Sequence, residues 1–145
     1  MAATGMTRFG ERIGQRTAAS FRCAACGEMA AVVKVVRAEN TVDMGPPLGR
    51  QTYDCDAVIL DYFLGTAGKF GDAATLDAVQ EIVSSDAPDP VALRRVDWEL
   101  APFYCPDCDL NYCRADWHTY VLVDEGFYDC TMGICPGEHR HMVDD

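Results

Sequence analysis

Phe103-Tyr104-Cys105-Pro106-Asp107-Cys108-Asp109-Leu110-Asn111-Tyr112-Cys113-Arg114-Ala115-Asp116 is the stretch that decides how this chain folds. Cys105 and Cys108 form a Cys-x-x-Cys turn, and Pro106 inside it stiffens the loop. Such a turn aims two thiolates at one point in space. Upstream stands a second pair, Cys23-Ala24-Ala25-Cys26, relieved by Gly27. Downstream, Cys135-Pro136-Gly137-Glu138-His139 spaces a thiol and an imidazole by one further turn. Zinc takes about four soft or borderline donors in a tetrahedron, and short-spaced pairs of this kind are how chains supply them.

Seven donors follow directly from this spacing: Cys23, Cys26, Cys105, Cys108, Cys113, Cys135 and His139. Two zinc ions need about eight. The eighth is Asp116 or His118. If Cys113 opens a helical turn, Asp116 lies three residues on and shares its face; His118 is the more usual ligand type and a loop can present it. Two pairings satisfy the spacing. In the sequential one, Cys23, Cys26, Cys105 and Cys108 share an ion, and the later donors share the other. In the interleaved one, the first pair joins Cys113 and its neighbour, while Cys105 and Cys108 join Cys135 and His139.

The order Cys-x2-Cys, Cys-x2-Cys-x4-Cys-x2-Asp, Cys-x3-His over residues 21–29 and 103–142 resembles the cross-brace zinc fingers of the RING, B-box and FYVE class. The Cys26-Gly27 and Cys105-Pro106 knuckles resemble those of zinc ribbons. Phe103 to Cys113 together with Gly133-Ile134-Cys135-Pro136 and His139 is similar to a group of bacterial zinc-ribbon-like proteins of unassigned role. The long segment between the knuckles, and Asp116 where a histidine would be expected, depart from the cross-brace pattern. No ubiquitin-ligase activity is carried over.

The body of the chain limits its partners. Of 145 residues, 49% are hydrophobic and the net charge is −11, which suits one globular domain with a real core. Residues 1–22 carry Arg8, Arg12, Arg16 and Arg22 against Glu11, so the acidic excess falls on the remainder. An acidic body repels phosphate, which makes nucleic acid a poor partner and a basic protein surface a better one. No stretch is long and apolar enough to span a membrane. The first twenty residues lack the apolar block of a secretory signal, so the expected location is the cytoplasm, where thiols stay reduced. An exported disulfide protein is the rival reading.

The expected architecture is an α+β domain: a small antiparallel sheet with one main helix, organised by two zinc sites in a zinc-ribbon or treble-clef-like way. Residues 1–20 read as a basic tail or loop and residues 21–145 as a single domain. A strand-helix segment, about 40–98, is inserted between the knuckles. Ala30 to Val36 reads as a strand, Glu39 to Gln51 as a loop, and Thr52 to Leu64 as a strand with helix as the alternative. Gly65, Gly68 and Gly71 should break the chain. Asp72 caps a helix to about Ser84, with Leu76, Val79 and Val83 on one face. Asp89-Pro90 opens a further short turn. Val96, Trp98 and Leu100 alternate as a strand does. His118 to Val123 and Phe127 to Thr131 form a hairpin at Glu125-Gly126, and His139 to Asp145 is a polar tail.

Cys55 is expected to be a buried, inert thiol in the apolar strand. Cys130 is an alternative candidate for a ligand place, and His141 is expected to be a solvated tail residue, with ligation in place of His139 as the alternative. Tyr104, Tyr112, Trp117, Tyr120, Phe127 and Tyr128 are expected mainly to pack around the metal turns, with a recognition surface as the alternative. The function expected is a non-catalytic zinc module that binds another protein. A zinc-dependent hydrolase or nuclease using His118, His139, His141 and Asp116 is the alternative, though no His-Glu-x-x-His motif is present. A nucleic-acid-binding ribbon and a thiol redox protein rank lower, the latter because no helix pattern follows either Cys-x-x-Cys.

Overall fold

The computed structural model describes residues 16–38, 41–43, 45–47, 49–52 and 54–145. Most of the basic arm, with Arg8 and Arg12, lies outside the described residues. The chain forms an α+β fold of small antiparallel sheets and short helices. Strands β1 (Ala18–Arg22), β2 (Met29–Val36), β5 (Ala57–Tyr62) and β6 (Gly65–Phe70) make a four-stranded sheet in the order β1-β2-β5-β6. Between β2 and β5 lies a short ribbon of β3 (Thr41–Asp43) and β4 (Arg50–Thr52).

Helix α1 (Ala73–Ser84) covers one face of this sheet. Asp72 caps it by accepting from the Thr75 backbone N–H at 2.8 Å. Its spacing of three and four delivers Leu76, Val79 and Val83, all fully buried, against Val33, Val35, Val58 and Leu60. Each such side chain contributes about 1.5–3 kcal/mol through removal from water. A smaller cluster of Val36, Ala57 and Ile59 forms on the opposite face. Helix α2 (Pro90–Val96) starts with Asp89 accepting from the Val91 N–H, as the Asp-Pro signal predicts.

The C-terminal part is built on turns. β7 (Tyr104–Cys105) and β8 (Leu110–Asn111) form a two-residue ribbon that carries the Cys105 knuckle. β9 (His118–Asp124), β10 (Phe127–Ile134) and β11 (Arg140–Asp144) make a second sheet in the order β11-β10-β9. The β9–β10 hairpin turns at Glu125-Gly126, the site read from the sequence.

Six expectations need correction. The tail does not extend to residue 20, because Ala18 to Phe21 pair in register with Lys34 to Ala31. The Glu39–Gln51 loop contains β3 and begins β4, two short strands stabilised by each other rather than by an apolar pattern. The glycines after Leu64 do not break the chain; Gly65 to Phe70 pair along the whole of β5. Trp98 to Leu100 is a 3₁₀ turn rather than a strand, because Asp97 ends α2 and its carboxylate accepts from the Glu99 N–H. The C-terminal segment is β11, anchored by the fully buried Val143, rather than a solvated tail. Cys55 also differs from expectation: it sits in an exposed bend before β5.

Candidate metal centre

Trp117 connects the parts that present the cysteines. It follows Asp116 directly, is buried, and stacks on Phe63 at 5.6 Å between ring centres. Its indole N–H donates to the Phe103 carbonyl, two residues before Cys105, at 3.3 Å. Its ring also lies against Gly133, two residues before Cys135. A Cβ placed on Gly133 would come within 2.9 Å of both Trp117 and Val143, so no larger residue fits there. Arg114, beside Cys113, donates to the Phe63 carbonyl at 3.1 Å and ties its turn to the end of β5.

Each turn is shaped by its own backbone. In the first, the Gly27 N–H donates to the Cys23 carbonyl, and Gly27 adopts φ 77°, which glycine reaches without a Cβ clash. The Ala24 N–H donates to the Asn111 carbonyl at 2.8 Å, which seats this turn beside β8, two residues before Cys113. At Cys105, the Asp109 N–H closes onto the Cys105 carbonyl, and the Cys108 N–H points at the Cys105 Sγ at 3.4 Å. At Cys113, the N–H groups of Asp116 and Trp117 both donate to its carbonyl; this is the helical turn that aligns Asp116 with Cys113. At Cys135, the Glu138 N–H donates to the Cys135 carbonyl and the His139 N–H points at its Sγ.

These turns bring eight side chains into two groups of four. Cys23, Cys26, Cys113 and Asp116 form one; Cys105, Cys108, Cys135 and His139 form the other. In the first group, Cys26 Sγ lies 3.5 Å from Cys113 Sγ. Asp116 Oδ2 lies 3.0 Å from Cys23 Sγ and 3.3 Å from Cys113 Sγ. In the second, Cys108 Sγ lies 3.6 Å from Cys135 Sγ. His139 Nδ1 lies 3.2, 3.4 and 3.7 Å from the sulfurs of Cys108, Cys135 and Cys105. A tetrahedral zinc with bonds of about 2.3 Å to sulfur and 2.0 Å to nitrogen separates its donors by roughly 3.5–3.8 Å. The two sulfur–sulfur separations match that figure, the sulfur–nitrogen and sulfur–oxygen ones fall at it or up to about half an ångström short of it, and the sulfurs are far beyond bonding distance of one another. Both groups therefore fit metal coordination.

The grouping is interleaved, pairing the first turn with the third and the second with the fourth. Asp116 is the fourth member of the first group. His118 heads β9, is exposed, and belongs to neither group. Cys130 is buried within β10 and is likewise outside both.

The two groups differ in their surroundings. Cys26 is exposed and Asp116 half-buried, whereas the second group has Cys105 and Cys135 buried and its other members half-buried. Gly137 lies so close that a Cβ there would stand 2.8 Å from Cys108 Sγ. Burial chiefly pushes the Cys105 and Cys113 thiols up to about 12. A bond from the Tyr112 hydroxyl chiefly draws Cys108 down to about 7. Bonds from the Cys23 and Cys113 thiols hold the Asp116 carboxyl below its ordinary value.

His141 does not lie in a solvated tail; β11 turns it inward. Its Nε2 lies 3.3 Å from Cys105 Sγ and 3.2 Å from Asp107 Oδ2, and its ring meets Trp117 edge-on. The alternation of His139, His141 and Val143 was the available signal for this placement. The aromatics divide. Tyr104, Tyr112 and Trp117 are buried among the turns, whereas Phe127 and Tyr128 stand exposed on the hairpin.

Among the described residues, no helix is long and apolar enough to cross a membrane. The chain belongs to a family described as a domain of unknown function (DUF8328), whose model matches residues 11–145. No curated protein and no solved structure matches it.

Proposed function

We propose that this member of the family is a non-catalytic module that holds two zinc ions in interleaved sites and binds another protein. The observation that carries the reading is the pair of four-donor groups, each complete from the chain's own side chains. Thiolate-rich tetrahedral sets suit zinc over harder cations. A set of four protein donors leaves no place for a reactive water, which is how structural zinc differs from catalytic zinc. The order of ligands is that of the cross-brace fingers; the likeness is one of order alone. With zinc in both sites, loops from distant parts of the chain would be fixed rigidly, and rigid loops lose little entropy on binding. The acidic surface supports a basic protein partner over nucleic acid.

The second reading is a zinc-dependent hydrolase. It is favoured by one observation: Asp107 and His141 also approach the Cys105 sulfur, so two further donor atoms lie close to the second group. Native mass spectrometry and elemental analysis of the purified chain test the two together. Two zinc ions per chain with no cleavage of phosphoester or peptide substrates support the module. Metal-dependent cleavage that disappears on His141→Ala supports the enzyme.

A further inference from the structure

We infer that the outer edge of β9 accepts an extended segment of a partner protein as an added strand, and that this segment alternates apolar with basic side chains. The inference rests on the protein-binding reading above and names the partner's chemistry.

Among the described residues, β9 is the edge strand of its sheet, bonded only to β10. Edge strands are normally blunted by lysine, proline, a bulge or a covering loop, because their unpaired N–H and C=O groups invite pairing. His118-Thr119-Tyr120-Val121-Leu122-Val123-Asp124 contains neither lysine nor proline, and the one irregularity in the hairpin lies on β10, between Tyr128 and Cys130. No described residue covers the outer half: Val121, Leu122, Val123 and Asp124 are all exposed. Val123 is 66% exposed and Phe127 opposite the turn 77%. Large apolar side chains left in water along an unprotected edge mark a surface that is covered in use.

The register states what the added strand must carry. Successive strand residues face opposite sides. Val121 and Val123 share one face, where Val123 stands opposite Tyr128. That face asks for apolar side chains. Leu122 and Asp124 share the other, where Asp124 stands opposite Phe127 and Glu125 follows in the turn. That face asks for a cation with an apolar stem. The wider charge agrees: between Arg114 and Arg140 the chain has no lysine or arginine, but it has Asp116, Asp124, Glu125, Asp129 and Glu138. A second copy of this chain, with its net charge of −11, would bring like charges together at the same edge. Strand addition draws its affinity from main-chain bonds and its specificity from alternate side chains.

The test uses the zinc-loaded full chain, isotopically labelled, with three blocked synthetic peptides as probes: alternating valine and lysine, alternating valine and glutamate, and all lysine. Amide shifts and hydrogen exchange are followed through each titration. The expected result is saturable slowing of exchange confined to β9 and the hairpin turn with the valine–lysine peptide and none with the valine–glutamate peptide. Val123→Asp, at an exposed position, should weaken that binding at least about tenfold, roughly 1.4 kcal/mol. No response at β9 in a chain that still holds two zinc ions overturns the strand-addition inference alone. So does an equal response to an all-lysine peptide, which signals general charge attraction, or protection of β9 that grows with protein concentration without peptide, which signals a second copy. Metal-dependent hydrolysis would instead overturn the underlying protein-binding reading.

Discussion

Cys26 and Cys113 are 87 residues apart in the chain, yet their sulfurs lie 3.5 Å from one another. That contact makes the two metal groups interlocked rather than successive. The first turn sits beside β8 through the Ala24 to Asn111 bond, between the two turns of the C-terminal half. If each group holds an ion, neither the Cys23 turn nor the Cys135 turn can detach without opening one of the sites.

Asp116, not His118, should supply the eighth donor. Asp116→Ala removes a group within 3.3 Å of two thiols, whereas His118 is exposed at the start of β9. Asp116→Ala is expected to reduce the zinc content from two ions towards one, and His118→Ala to leave it at two. Elemental analysis of both purified variants checks this, and the reverse pattern would show the donor wrongly assigned.

Cys105→Ser should damage the fold far more than Cys55→Ser. Metal bound only by the native arrangement contributes its binding energy to folding, so loss of a buried ligand is expected to lower the thermal midpoint by more than about 10 °C. Cys55 is exposed, and its substitution should change stability by no more than about 0.5 kcal/mol. Thermal scans of both variants decide; equal midpoints would contradict the assignment.

Gly133→Ala should destabilise the protein although it touches no metal ligand. The added methyl would enter the 2.9 Å gap to Trp117 and Val143. Overpacking of a close core contact costs about 1–3 kcal/mol. Denaturant unfolding measures it, and unchanged stability would mean that Trp117 is held less firmly than its contacts indicate.

Zinc affinity should rise with pH. Burial holds the Cys105 and Cys113 thiols up to about 12, so near neutrality both carry protons that the metal must displace. Binding therefore tightens as pH rises, by about tenfold per unit for each proton released. Cys108, drawn down to about 7, adds to this slope mainly in more acid solution. Chelator competition across neutral pH reads the slope, and a flat or falling profile would argue against thiolate ligation.

Much of this arrangement was legible in the sequence, for identifiable reasons. Helix α1 and its buried face follow from local terms: the Asp72 cap and the spacing of Leu76, Val79 and Val83. The hairpin follows from Glu125-Gly126, and the individual metal turns from their spacing. The pairing of those turns does not follow, because spacing is local and the choice is made by Trp117, Asn111 and Arg114 at long range. Strand β6 was hidden because Gly-Thr-Ala-Gly-Lys-Phe has no apolar alternation; it is a strand because β5 lies beside it. Trp98 and Leu100 mimic a strand, since two residues cannot distinguish a period of two from a tight turn capped by Asp97. The inward place of His141 is hidden from a local reading because β11, Arg-His-Met-Val-Asp, is mostly polar.

The most direct measurement replaces zinc with the NMR-active cadmium isotope and correlates each metal signal with the cysteine side-chain protons. Interleaved sites predict one cadmium coupled to Cys23, Cys26 and Cys113, and a second coupled to Cys105, Cys108, Cys135 and the His139 ring. A cadmium coupled to both Cys23 and Cys105, or a single metal signal for the whole chain, would contradict the interleaved pair.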